Sequence, residues 1–330
     1  IAYYPHPKSC IYKLNSSMDK NAHKSHHYIP QCYLKNFSEN GICLFVYNKD
    51  YSKSYVQAIN KTCCIKDFYT LPKIYCENQL EPLFLECEYF AKEIEPKYSV
   101  LLNKILAKER EWMLNRSNNI KVLSSEEKFE FANYLTIQWF RMPQMRNCIK
   151  GINDDIIPKM IRLFQEGMAI ENNNPDFLKL DIGYNIDPVI EHASSSFCNS
   201  DLIYAFAKAL FFNSWEFFVS DSNSIYTSDY PLVVEPHVQN VVQQYQGLAS
   251  YGSELSFPIS KNIILTIWDN KYFKNKQQYD CRFTPLSDKG TRRYNWMRYF
   301  YAKHQIFSYN DDFTIINLAK SINGGTHLFK

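Results

Sequence analysis

Two adjacent histidines, His26 and His27, sit inside the stretch KSHHYIPQCYLKNFS, Lys24 to Ser38. Imidazole titrates near neutral pH, so the pair suits general-base work or the binding of a divalent metal. Adjacent side chains point in different directions on any regular element. At most one of the two therefore faces a given site, and His27 is favoured. The structural alternative is a histidine bonded to main chain near a helix start. Far along the chain, IYTSDYPLVV carries Thr227, Ser228 and Asp229 to the end of a β run. There Asp229 could act as a metal ligand or general base, although S-D-x-P suits an Asx or Ser/Thr turn equally well. Ser228 lacks the G-x-S-x-G elbow and is not read as a nucleophile. Arg141, ahead of Met142 and Pro143, could grip a phosphate or carboxylate with its planar fork.

These residues need elements to hold them. SSEEKFEFANYLTIQWFRMP opens with Ser124 or Ser125 followed by Glu127, a capping arrangement that predicts a helix to about Met142. On it Glu127, Glu130, Tyr134, Gln138 and Arg141 share one face. That face is either solvated, as in an ordinary amphipathic helix, or a set of directional donors aimed at a ligand. Glu81, Glu88 and Glu95 recur along an earlier helix as a solvated acidic stripe or as carboxylates for a metal. RRYNWMRYFYAKHQIFSY, from Arg292, interleaves cations with aromatics, a pattern that can stack nucleobases, and places Asn295 near a helix start.

Composition bounds the rest. The chain has 330 residues, 45% hydrophobic and 16% aromatic, enough for a large core. A net charge of +3 gives no electrostatic case for a dedicated nucleic-acid binder, and nine glycines argue against a Gly-rich phosphate loop. The ten cysteines form no C-x-x-C pair and no short-spaced Cys/His cluster, which points to reduced thiols in a cytoplasmic protein. No leader-like start and no 18-residue apolar run is visible, so no membrane is expected.

The chain reads as a polar arm over 1–24 and a single α+β domain over 25–330. ICLFVYNKDYSKSYVQAI predicts an N-terminal β-hairpin, and IKDFYTLP a third short strand stopped by Pro72. A helix follows with Leu80, Phe84, Cys87, Ala91 and Ile94 on one face, kinked or divided at Pro96. Further helices are expected near Asp154–Glu171 and Ser196–Phe212, completing a central helical bundle. WEFFVSD, PLVVE, ELSFPIS and NIILTIW then give antiparallel strands with flanking helices.

His-His-x-x-Pro also looks like the opening of HNH nucleases. The next histidine after His27 is His192, too distant for that compact unit, so a standard HNH site is excluded. The order of HHYIPQCYLKNFS, QWFRMP, TSDYP, LSFPIS and YNWMRYFYAKHQIFS resembles the domain-of-unknown-function 4238 family over about Ser25 to Ser308. The resemblance implies that the family's polar marks fall on His26, His27, Gln31, Arg141, Thr227, Ser228, Asp229 and Asn295. Cys32 replaces a commoner aromatic, and Tyr230 stands where Asn is usual. The family carries no assigned activity, and its mostly microbial members suggest a role in defence.

Two functions are carried forward. The first is a hydrolase, nuclease-like, with His26, His27, Arg141 and Asp229 as catalytic residues. Gln31, Gln138, Thr227, Ser228 and Asn295 would bind substrate, and His27 with Asp229 could hold a divalent metal. Its partners would be nucleic acid or another protein of a defence system. The alternative is a sensing or binding module that holds a ligand, such as a phage protein, without turnover.

Overall fold

The computed structural model of the protein describes residues 25–73, 81–116, 120–183, 186–222, 224–238 and 247–321. The polar arm expected over 1–24 lies outside these residues, as does Leu80 of the expected helix face. The histidine stretch forms a short strand, β1 (Ser25–His27). Pro30, which has no N–H to donate, then leads into one helical turn, α1 (Gln31–Leu34). The hairpin is present as β2 (Cys43–Asn48) and β3 (Lys53–Ala58). The third strand is shorter than its apolar run, β4 (Cys64–Lys66), and pairs antiparallel with β1 so that His26 sits opposite Ile65. Cys63 and Asp67 bracket β4 with positive φ, turning the chain at both ends.

Leu85–Ile94 forms a π-helical segment that passes into α2 (Glu95–Asn115), with Pro96 in its first turn. The division expected at Pro96 is thus a change of helical ladder rather than a break, because proline cannot supply the amide that the preceding turn needs. α3 (Ser125–Arg141) starts with the reciprocal cap that SSEE implies: the Glu127 amide donates to Ser124, and the Glu127 carboxylate accepts from the Ser124 amide. Met142 is extended, as a residue before proline is driven to be, and Pro143 opens α4 (Pro143–Gly151). α5 (Ile157–Glu171), α6 (Pro188–His192) and α7 (Ser200–Phe211) complete the helical half.

The second half supplies β5 (Ser214–Val219), β6 (Thr227–Ser228), β7 (Val233–Pro236), β8 (Ser253–Pro258), β9 (Ile263–Trp268) and β10 (Arg282–Pro285). α8 (Asp288–Tyr301), β11 (Gln305–Ser308) and α9 (Thr314–Ser321) follow. One sheet has the order β10-β5-β9-β8-β7, the other β3-β2-β11-β6. The α+β class holds, with two refinements. β10, which has no periodic signal of its own, joins β5 in parallel. The N-terminal hairpin is not a separate unit, because β2 pairs with β11 from near the other end of the chain.

The main core lies on one face of the five-stranded sheet. Trp215, Phe217, Phe257 and Leu265 meet Leu101 and Ile105 of α2 and Phe131 and Leu135 of α3. Tyr33, Leu34 and Phe37 enter the same core and anchor the histidine stretch. The Tyr33 ring packs 5.0 Å from that of Phe257, and its hydroxyl meets Thr227 Oγ1 at 2.7 Å. α3 is enclosed on nearly every side, so Tyr134, Gln138 and Arg141 are buried rather than solvated. Among the described residues no helix is long and apolar enough to cross a membrane.

Candidate functional site

The polar row of α3 lies against the histidine stretch. Gln138 Nε2 donates to the Tyr28 carbonyl at 2.9 Å, and Arg141 Nη2 donates to the His27 carbonyl. Residues three apart on a helix share a face, so α3 holds two successive carbonyls of the N-terminal segment at once. Arg141 Nη1 pairs with Glu95 Oε1 at 3.0 Å, and the guanidinium lies 4.1 Å over the Phe90 ring. The Arg141 carbonyl accepts the Tyr69 hydroxyl at 2.7 Å. Burial works against the Arg141 charge, but Glu95, Tyr69 and Glu86 outweigh it and hold the guanidinium protonated.

The two histidines differ in kind. His26 is fully buried, accepts the Tyr69 amide on Nδ1 at 2.8 Å and stacks on the Tyr69 ring. His27 is half-buried, and its Nε2 has no hydrogen-bond partner although no solvent reaches it. Burial pushes the His27 imidazole down from its ordinary value; Glu95 opposes the shift and Arg141 adds to it. The ring is therefore neutral at pH 7, with a basic nitrogen available.

Beside it stands Glu86, from the π-helical segment. Its Oε1 receives the His27 amide at 3.5 Å, and its Oε2 is buried without a partner. Burial raises the Glu86 carboxyl to about 7 against the opposing pull of Arg141. A neutral imidazole and a carboxyl tuned to neutral pH thus share one enclosed cluster with a fixed guanidinium. Such a pair can take a proton at one atom and deliver one at another. Across the Tyr69 ring, Arg146 stacks 3.6 Å over Phe68 and donates from Nε to His192 Nδ1 at 3.3 Å, leaving Nη2 buried and unpartnered. Burial lowers Arg146 to about 10.

Asp229 belongs to a different set of contacts. Its carboxylate accepts the amides of Lys303, His304 and Gln305 at 2.8, 2.7 and 3.1 Å and so holds the entry to β11. Burial raises its pKa, and those three amides pull the other way. Ser228 Oγ accepts the Tyr230 amide at 3.2 Å, the Ser/Thr turn that S-D-x-P allows. Asn295 ties down the segment before β6: Oδ1 accepts the Tyr226 amide at 2.8 Å, and Nδ2 donates to the Ser224 carbonyl at 2.6 Å. Gln31, half-buried at the head of α1, makes no side-chain hydrogen bond among the described residues. Of the sequence candidates, His27, Gln138 and Arg141 meet in one place, with His26 behind them; Asp229, Thr227, Ser228 and Asn295 brace β6 and β11.

Among the described residues no three His, Cys, Asp or Glu side chains converge as a metal-binding group. Both Asp229 oxygens are already engaged with amides. Sequence reading passed over Glu86 and Arg146. Glu86 lies two positions before Glu88, off the even Glu81, Glu88, Glu95 spacing. Glu95, from that stripe, is the ion-pair partner of Arg141. Arg298 was read within a stacking surface; it is fully buried and donates to the carbonyls of Pro231 and Ser256.

Fold and site together define an α+β protein with an acid–base and guanidinium cluster sealed where its first strand meets its central helix. The chain belongs to the family described as Protein of unknown function (DUF4238), whose family model matches residues 25–312. No curated protein and no solved structure matches it.

Proposed function

We propose that the protein is a hydrolase, nuclease-like in its chemistry, with His27 as general base and Glu86 as general acid. The observation that carries this reading is the pair of unpartnered buried atoms, His27 Nε2 and Glu86 Oε2, on an imidazole whose pKa burial lowers and a carboxyl that burial raises to about 7. Arg141 positions His27 through its carbonyl, and Arg146, like Arg141, keeps a buried donor without a partner, which could meet a phosphate oxygen. Nucleic acid is the proposed substrate, and a microbial defence role in the cytoplasm is the proposed setting. The test is purified protein incubated with RNA, single-stranded DNA and duplex DNA, with and without Mg²⁺ or Mn²⁺. Cleavage is expected for at least one substrate, falling about 100-fold or more in His27→Gln and Glu86→Gln. Failure of the wild type to cleave any of them overturns the reading.

A second reading is a binding module that holds a ligand without turnover. It is favoured by Arg141 and Asp229, whose hydrogen bonds to main chain serve the frame rather than a reacting group. Tight binding of an unchanged nucleotide or peptide, unaffected by Glu86→Gln, would select it.

A further inference from the structure

Among the described residues, the outer side of α5 is an apolar surface left uncovered. The helix packs chiefly on its own flanking segments, 152–156 and 175–179. Gln165 lies on that inner side, buried, and donates to the Leu180 carbonyl at 2.6 Å. The opposite side carries Ile156, Met160, Leu163, Gly167 and Ile170, spaced alternately by four and three residues. That spacing is a single helix seam. Ile156, Met160, Leu163 and Ile170 are 48%, 62%, 67% and 82% exposed, and no atom lies within 4 Å of a β-carbon placed on Gly167. A seam of large exposed apolar side chains is a docking surface.

Its charges select the occupant. Lys159 and Glu166, the latter also paired with Arg162 one turn earlier at 2.9 Å, are seven residues apart, so they occupy the same flank of the seam in opposite halves of the helix, with opposite signs. A two-fold axis perpendicular to the helix maps that flank onto itself in reverse, which sets Lys159 within one residue of the partner's Glu166, and Glu166 within one residue of the partner's Lys159. With Leu163 on the axis, Ile156 lies opposite the partner's Ile170, and Met160 lies within one residue of the partner's Gly167, large against small. Charge and shape are self-complementary in one arrangement, the condition for an isologous interface. The surrounding segment 152–186 holds Asp154, Asp155, Glu166, Glu171, Asp176 and Asp181 against Lys159, Arg162 and Lys179. That acidic balance disfavours an anionic lipid surface or a nucleic acid as occupant.

We propose that α5 is a homodimerisation helix, pairing antiparallel with α5 of a second copy about Leu163. Sedimentation velocity across a concentration series tests it. The wild type is expected at twice the 39.0 kDa chain mass, and Leu163→Arg at 39.0 kDa with an unchanged circular dichroism spectrum, since the side chain is exposed. Lys159→Glu and Glu166→Lys, each alone, are expected to weaken self-association at least about tenfold, because each sets like charges opposite one another twice. Mixing the two restores both attractions and should return the wild-type dimer. A wild type monomeric at every concentration overturns the proposal, as does a dimer that survives Leu163→Arg. So does failure of the mixed charge variants to associate when each alone is impaired.

Discussion

Arg141 donates to the main-chain carbonyl of His27 while its other terminal nitrogen holds Glu95 at 3.0 Å. One guanidinium therefore links β1, α2 and α3, and the side chain is 1% exposed. Its contribution is the placement of His27, whose ring leaves β1 from the residue whose carbonyl Arg141 holds.

Arg141→Lys removes the fork that serves carbonyl and carboxylate together, because an ammonium is a single point of donation. A loss of about 3 kcal/mol is expected, since Glu95 and the His27 carbonyl are left poorly paired in the interior. Urea unfolding measures it. Hydrogen exchange at His26–Ile29 should rise well beyond the global change, and a uniform rise would speak against a local tether.

His26 and His27 should separate cleanly by assay. His26→Ala leaves the buried Tyr69 amide without its acceptor and should cost about 2 kcal/mol of stability. His27→Gln removes a ring whose Nε2 bonds to nothing, and should cost about 1 kcal/mol or less while abolishing hydrolysis. Equal destabilisation by both changes would count against a chemical role for His27.

Glu86 makes stability depend on pH. Its carboxyl is raised from 4.5 to about 7 by burial, so the folded state holds this proton more tightly than the unfolded chain. The associated stability is complete below pH 4.5 and is lost as pH rises through about 7. Glu86→Gln should abolish that loss and be the more stable form at pH 8 by on the order of 2 kcal/mol, after discounting for partial solvent access. Parallel stability curves for the two proteins from pH 5 to about 8 would refute the assignment.

The rate of hydrolysis should be bell-shaped in pH. Below the lowered His27 value the base is protonated, and above about 7 Glu86 has lost the proton it must deliver. Activity still climbing at pH 9 would exclude Glu86 as the acid.

Asp229 is expected to act on stability alone. Asp229→Ala frees three amides at the entry to β11 and should cost about 2 to 3 kcal/mol. Activity per folded molecule should stay within about twofold. A large loss of rate at unchanged stability would restore Asp229 to the reacting centre.

Local features were legible in the sequence because they obey short-range rules. The Ser124–Glu127 cap and the β2–β3 hairpin each follow from a few neighbouring residues. The roles of the polar candidates were not legible. Arg141, Gln138, Asp229 and Asn295 all bind main-chain groups, and a side chain that holds a backbone looks in sequence like one that holds a substrate.

By itself the sequence determined the α+β class, the order of elements and the segments that must be buried, since apolar periodicity and turn chemistry act over a few residues. Only the tertiary structure decided that β2 lies beside β11, that α3 is enclosed, and that Glu86 joins His27. Those facts depend on contacts between distant segments. The property that marks Glu86, a carboxyl raised by burial, does not exist until those segments exclude water from it.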